Sequence, residues 1–193
     1  EDYHFERWDP IFAKVRDTVQ SQEWYDILSK ITGIEGLHTT MDSLGSGVHQ
    51  GKNGSYVDVH LDVNMNPKTN LWRRINLLID LNKEIWDKQM TRCHNKVSPT
   101  FNRAVIFLTD DNSPHGYSKI NIPEGESRKS FYTYFYTVPD ENMVYRDSKF
   151  LSRPDDKLGK KLATSTKEAI KIKGKQFLKA LGIRSLDFQD KNK

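Results

Sequence analysis

Four extended segments, punctuated by glycine and proline, dominate the middle of this chain and limit what it can fold into. Tyr56-Val57-Asp58-Val59-His60-Leu61-Asp62-Val63 alternates from side to side as a strand does. Ile75 to Leu81 (INLLIDL) and Ala104 to Leu108 (AVIFL) read as buried strands, and Phe131 to Tyr136 (FYTYFY) as an aromatic, β-favouring one. Gly36, Gly45, Gly47, Gly51 and Gly54, then Asn66-Pro67, Ser113-Pro114 and Pro123-Glu124-Gly125, break helices and supply the turns between short strands. Two helices precede this region. Asp9-Pro10 is an N-cap acid followed by proline at the first helical position, with Phe12, Val15 and Val19 at helical spacing. A second helix runs from Ser21, with Trp24, Ile27, Leu28 and Ile31 on one side, and stops at Gly33. Thr166 to Leu181 reads as a closing Lys-rich helix with Ile170, Phe177, Leu178 and Leu181 packed on the body. Helices, many short strands and a final helix mean a mainly β (α+β) fold, a sandwich or barrel with helical support.

A chain of 193 residues suffices for one well-cored domain. No apolar stretch is long enough to span a bilayer, the amino terminus has no basic-then-apolar signal pattern, and an opening at Glu1 marks a trimmed chain. The lone Cys93 excludes an intrachain disulfide framework and suits a reducing, cytoplasmic setting, with no membrane partner expected. The net charge of +4 hides an asymmetry: residues 157–193 hold ten Lys and one Arg against three acids, so residues 1–156 are net acidic. A nucleic-acid or acidic-membrane contact through the basic tail would call for basic residues interleaved with aromatics, and the tail holds only Phe177 and Phe188 as aromatics.

His60-Leu61-Asp62 carries the chemistry. In a strand, positions i and i+2 share a face, so an imidazole and a carboxylate project together. A third ligand from elsewhere completes a two-histidine, one-carboxylate set with open positions, the arrangement of non-haem iron(II) oxygenases. Alone, His-x-Asp is a weak signal. His115-Gly116, at the mouth of a strand, is the candidate for the third ligand. Arg128-Lys129-Ser130 leads into the aromatic strand; an arginine fork matches a carboxylate, and Ser130 can add a donor from the same face.

The order His60-x-Asp62, INLLIDLN, PTFNRAVIF, His115-Gly116 and Arg128-Lys-Ser130-x-x-x-Tyr134-x-Tyr136 resembles the 2-oxoglutarate/Fe(II)-dependent oxygenases, in their prolyl 4-hydroxylase-like branch, across residues 36–138. The resemblance implies a double-stranded β-helix (jelly-roll) core with iron inside one mouth. It assigns His60, Asp62 and His115 to the metal, Arg128 to the far carboxylate of 2-oxoglutarate with Ser130 as helper, and Asn76 to a co-substrate contact. Residues 1–35 then form helical support, 36–138 the oxygenase core, and 139–193 a basic extension packed on the same domain. The implied cofactors are Fe(II), 2-oxoglutarate and O2, and the implied reaction is hydroxylation of a C–H bond with release of succinate and CO2. A small-molecule substrate is expected, because no peptide-binding repeat accompanies the core; a peptidyl proline, or a catalytically silent binding module, are the alternatives. His49 and Gln50, upstream of the strand carrying His60, and Arg74 are candidates to meet substrate. His4, His38 and His94 read as surface or turn residues, and Trp8, Trp24, Trp72 and Trp86 as packing.

Two departures stand out. Asp80 replaces a tyrosine common in relatives. Relatives also carry a Gly-Gly loop after the LN pair, whereas here Leu81-Asn82-Lys83-Glu84 meets Ile85-Trp86-Asp87 directly. A two-residue hairpin normally needs glycine or asparagine at positive φ, so the expectation is a segment omitted between Glu84 and Ile85.

Overall fold

The computed structural model describes residues 7–40, 45–79, 83–98, 100 and 102–180. In chain order the elements are α1 (Pro10–Val19), α2 (Gln22–Thr32), β1 (Ser46–Gly51), β2 (Val57–Leu61), β3 (Trp72–Ile79), β4 (Lys83–Trp86), β5 (Cys93–Val97), β6 (Ala104–Leu108), β7 (His115–Tyr117), β8 (Arg128–Thr137), β9 (Lys149–Phe150) and α3 (Leu158–Ala180).

The strands form two antiparallel sheets. A four-stranded sheet has the order β1-β8-β3-β6, and a five-stranded one the order β5-β4-β7-β2-β9. Apart from the β4–β5 hairpin, successive strands alternate between the two sheets, as in a jelly roll.

The helical signals act as written. Asp9 Oδ1 accepts from the Ile11 amide at 2.9 Å and Ser21 Oγ from the Trp24 amide at 3.4 Å, satisfying amides that lack helical partners. Gly33 ends α2 at φ 70°, a left-handed conformation that glycine adopts without a Cβ penalty. The two helices cover the outside of the four-stranded sheet. Val19 and Leu28 are buried with Ile75, Leu77, Phe131 and Phe135, and Trp8, Val15, Trp24 and Tyr25 pack around them. Alternation then sends the other residues of β3 and β8 into the barrel. Asn76 lies opposite Tyr134 on one side and Phe107 on the other, which makes an inward-facing row.

The expectation about the join changes. Glu84 and Ile85 are consecutive within β4, opposite Gly116 and His115, so no segment is missing between them. The hairpin objection lapses because β3 and β4 belong to different sheets and the join is a crossover. Asp80 lies outside the described residues.

The closing helix begins eight residues earlier than its apolar spacing indicates, since Lys, Leu and Ala around residue 160 are good helix formers without an apolar partner. Its orientation is also reversed. Ile170 and Phe177 are each 65% exposed, while Glu168 is buried; Leu178 and Leu181 lie outside the described side chains. The helix is held by polar contacts, with Lys171 Nζ donating to the Ser148 carbonyl at 2.6 Å, Lys175 pairing with Asp147, and Lys160 with Asp58. No described helix is long and apolar enough to cross a membrane.

Candidate active site

His60 is the fourth residue of β2 and stands directly across from His115 on β7, with ring centroids 4.6 Å apart. Asp62 follows one residue past the end of β2 and turns its carboxylate to both rings. Its oxygens lie 3.6 Å from His60 Nε2 and 3.4 Å from His115 Nε2. Among the described residues this is the one group of His, Cys, Asp and Glu whose ligand atoms converge, all within 4.8 Å of one another.

Each imidazole has its other nitrogen against a backbone carbonyl. His60 Nδ1 is 2.9 Å from the Asp58 oxygen and His115 Nδ1 is 2.8 Å from the Ser113 oxygen. With Nδ1 turned to a carbonyl, the Nε2 of each ring faces Asp62 and is the atom that would ligate a metal.

Burial opposes ionisation of the Asp62 carboxyl. The charges of His115 and His60, a hydrogen bond from His60 and the nearby Arg73 more than offset it and hold the group ionised far below the usual carboxylate range. Gly116 is required for this approach: a Cβ there would lie 2.7 Å from the Val57 carbonyl oxygen and 3.0 Å from the Val59 backbone. The glycine therefore serves the seating of β7 on β2.

Behind Asp62 stands a cluster the sequence did not announce. Tyr134 Oη donates to Asp62 Oδ1 at 3.4 Å, and the Arg73 guanidinium lies 3.8 Å from the centre of the Tyr134 ring. Burial pulls the Arg73 guanidinium toward neutrality, but Tyr136, Tyr134 and Asp62 outweigh it and the charge is retained. A bulge between Arg73 and Ile75 turns Arg73 into the barrel and leaves Arg74 outside it, stacked on Trp72 at 3.8 Å. The adjacent arginines looked equivalent in sequence; unbroken alternation would put Arg74 on the inward face of Asn76, and the bulge puts Arg73 there instead.

At the other end of the interior, Arg128, Ser130 and Asn76 are all buried. Arg128 Nε and Nη2, Ser130 Oγ and Asn76 Oδ1 have no hydrogen-bond partner within the protein. The Arg128 guanidinium rests 4.2 Å from the Tyr117 ring centre, and its Nη1 is 3.5 Å from His49 Nδ1. His49 thus sits against Arg128 rather than beside the His–Asp–His group. Gln50, its neighbour on β1, faces the other way and donates to Ser127 Oγ at 2.8 Å on the surface. The structure therefore brings His60, Asp62 and His115 together, gathers Arg128 and Ser130 on one face with His49 beside Arg128, and leaves Gln50 and Arg74 outside.

Comparison with known proteins follows this geometry. A sequence profile described as the 2OG-Fe(II) oxygenase superfamily matches residues 46–136, from the first residue of β1 to the last turn of β8. Strands β1 to β8 are thus similar to the 2OG-Fe(II) oxygenase superfamily. The chain's fold is the jelly roll of that superfamily, and its cofactors are Fe(II), 2-oxoglutarate and O2. No curated protein matches the sequence. Among solved structures, a Pseudomonas putida prolyl-4-hydroxylase is similar at 11% identity and a TM-score of 0.39, over 69% of this chain and 80% of that one.

The residues present fit those cofactors. Two neutral imidazoles and an ionised carboxylate suit a divalent iron and leave coordination positions open. The partnerless donors of Arg128 and Ser130 suit the free carboxylate of a keto-dicarboxylic acid, because buried polar atoms otherwise stay unpaired at a cost of about 1–3 kcal/mol each. When bound, iron and 2-oxoglutarate would together supply the oxidising chemistry with O2.

Proposed function

We propose that this oxygenase hydroxylates a C–H bond of a small-molecule substrate, with iron on His60, Asp62 and His115 and 2-oxoglutarate gripped by Arg128, Ser130 and Asn76. The observation that carries the reading is the set of buried, partnerless donors on Arg128 and Ser130, inside the same barrel as the converging His–Asp–His group. A short arginine-to-carboxylate bridge there fixes one end of the co-substrate, and its keto acid end reaches the metal.

The small-molecule assignment draws support from the narrowness of access. Side-chain exposure is 2% at His115, 9% at Asp62 and 19% at His60, so approach is from the His60 side. Phe150, the β9 residue opposite His60, walls that side with its ring 5.8 Å away. A slender substrate can slide between this ring and the metal position, and desolvation of the reacting carbon follows from the fit.

The test needs no substrate. Under anaerobic conditions, Fe(II) followed by 2-oxoglutarate should produce the visible charge-transfer band of the chelate. His60→Ala should abolish it and Arg128→Ala should weaken it by raising the co-substrate concentration required. A folded, iron-loaded protein that shows no band at saturating 2-oxoglutarate would sink the reading. Screening small C–H-bearing acids, amines and peptides for stimulated succinate release then separates substrate classes.

A further inference from the structure

Helix α3 is mounted with its apolar side outward. Its positions 161, 164, 168, 171 and 175 recur at helical spacing and face the body, and all are polar. They hold on through charge: Glu168 is buried and pairs with Lys171 at 2.8 Å, Lys171 also reaches Ser148, and Lys175 reaches Asp147. Leu158 is 78% exposed, Leu162 67%, Ile170 65%, Ile172 49% and Phe177 65%. An isolated exposed leucine is unremarkable, but five large apolar residues along one helix leave a face with no partner among the described residues.

The charge around this face says what covers it. Seven lysines and a single acid lie in α3, and the acid is Glu168, turned inward. Lys167 and Lys173 are exposed among the apolar residues, so the solvent side carries positive charge with no acid to offset it among the described residues. We propose that the outward face of α3 docks on an anionic lipid surface, lying in the interface with its apolar side chains inserted and its lysines at the headgroups.

A second copy of the chain fits less well. An isologous pairing through this face would set the lysines of both copies against each other. The apolar residues from Leu158 to Phe177 also stretch over roughly 28 Å at 1.5 Å per residue, along a convex helix that a fluid surface follows without needing a matching groove. Because the inward face holds by ion pairs, insertion of the outward one disturbs no core packing.

Flotation of the full-length protein with vesicles tests this independently of the active-site reading. Wild type should float with mixed phosphatidylglycerol–phosphatidylcholine vesicles and not with pure phosphatidylcholine ones, and added salt should weaken the binding. The triple variant Leu162→Glu, Ile170→Glu, Phe177→Glu should lose at least ~10-fold in affinity with unchanged circular dichroism and an unchanged iron–2-oxoglutarate band. Absence of binding to the anionic vesicles at low salt overturns the proposal, as does a triple variant that floats like wild type. A concentration-dependent dimer that the same substitutions dissociate, without vesicle binding, overturns it in favour of a self-interface.

Discussion

At the scale of single residues, the site depends on groups that touch the ligands rather than the metal or co-substrate. Tyr134 holds Asp62 through its hydroxyl, and Arg73 is stacked on the same ring. Loss of such a supporting bond typically lowers metal affinity about 10–100-fold, so Tyr134→Phe should weaken iron binding by that order. Anaerobic iron titration measures it, and an unchanged affinity would show the contact to be idle. At the opposite end, Arg128→Lys keeps the charge and loses the planar fork. A charged hydrogen bond contributes ~1.5–3 kcal/mol, about one to two decades in affinity, and the 2-oxoglutarate dissociation constant should rise accordingly while iron binding stays put. His49, in contact with Arg128, belongs to this co-substrate end.

At the scale of elements, the five-stranded sheet is fastened to the C-terminal segment by a buried ion pair. Arg153 Nε donates to Glu84 Oε2 at 3.1 Å, Ser118 donates to Glu84 Oε1 at 2.6 Å, and a second Arg153 nitrogen reaches the Val57 carbonyl. Burial opposes ionisation of Glu84, yet Ser118 and Arg153 outweigh it and lower its titration below that of a free carboxyl. A group depressed on folding stabilises fully above its unfolded value, about 4.3 for Glu, and the contribution disappears as pH falls toward the folded value. Arg153→Ala should cost roughly 2–3 kcal/mol, under the ~3–5 of a fully dry pair, because a cavity of about 260 Å³ beside Glu84 admits water. Chemical denaturation measures that loss, and the same experiment on Glu84→Gln should show a flatter decline of stability below about pH 4.3. These ties span 34 to 96 residues of sequence, and nothing local announces them. What was legible was periodic or chemically exact: the helix caps, the β-strands, and the histidines and carboxylate that converge. What was not legible depends on geometry between distant segments. The bulge that separates Arg73 from Arg74, the crossover that makes Glu84-Ile85 an ordinary strand step, and the two-residue β9 all belong to that kind.

At the scale of the whole molecule, two parts are held by different forces. The barrel and its covering helices share an apolar core, whereas α3 is attached through lysines to Asp58, Asp147 and the Ser148 carbonyl. Exposed ion pairs are screened beyond roughly 10 Å at 0.1 M salt and are each worth about 0–1 kcal/mol. Raising the salt should therefore increase amide exchange along α3 and leave Ile75, Leu77 and Phe135 protected. Equal protection of both parts at high salt would mean that α3 is seated by something other than charge.

β9 is only two residues long, yet it covers the outer side of β2 at His60 and Leu61. A gene fragment that ended with the block recognisable as an oxygenase would leave β2, the strand of His60, as a bare border, able to recruit a stranger's backbone. The stretch that matches the oxygenase profile and the stretch that completes the sheets have different borders in this protein. Shuffling only the former would carry off the His–Asp–His group without the strand that guards its edge.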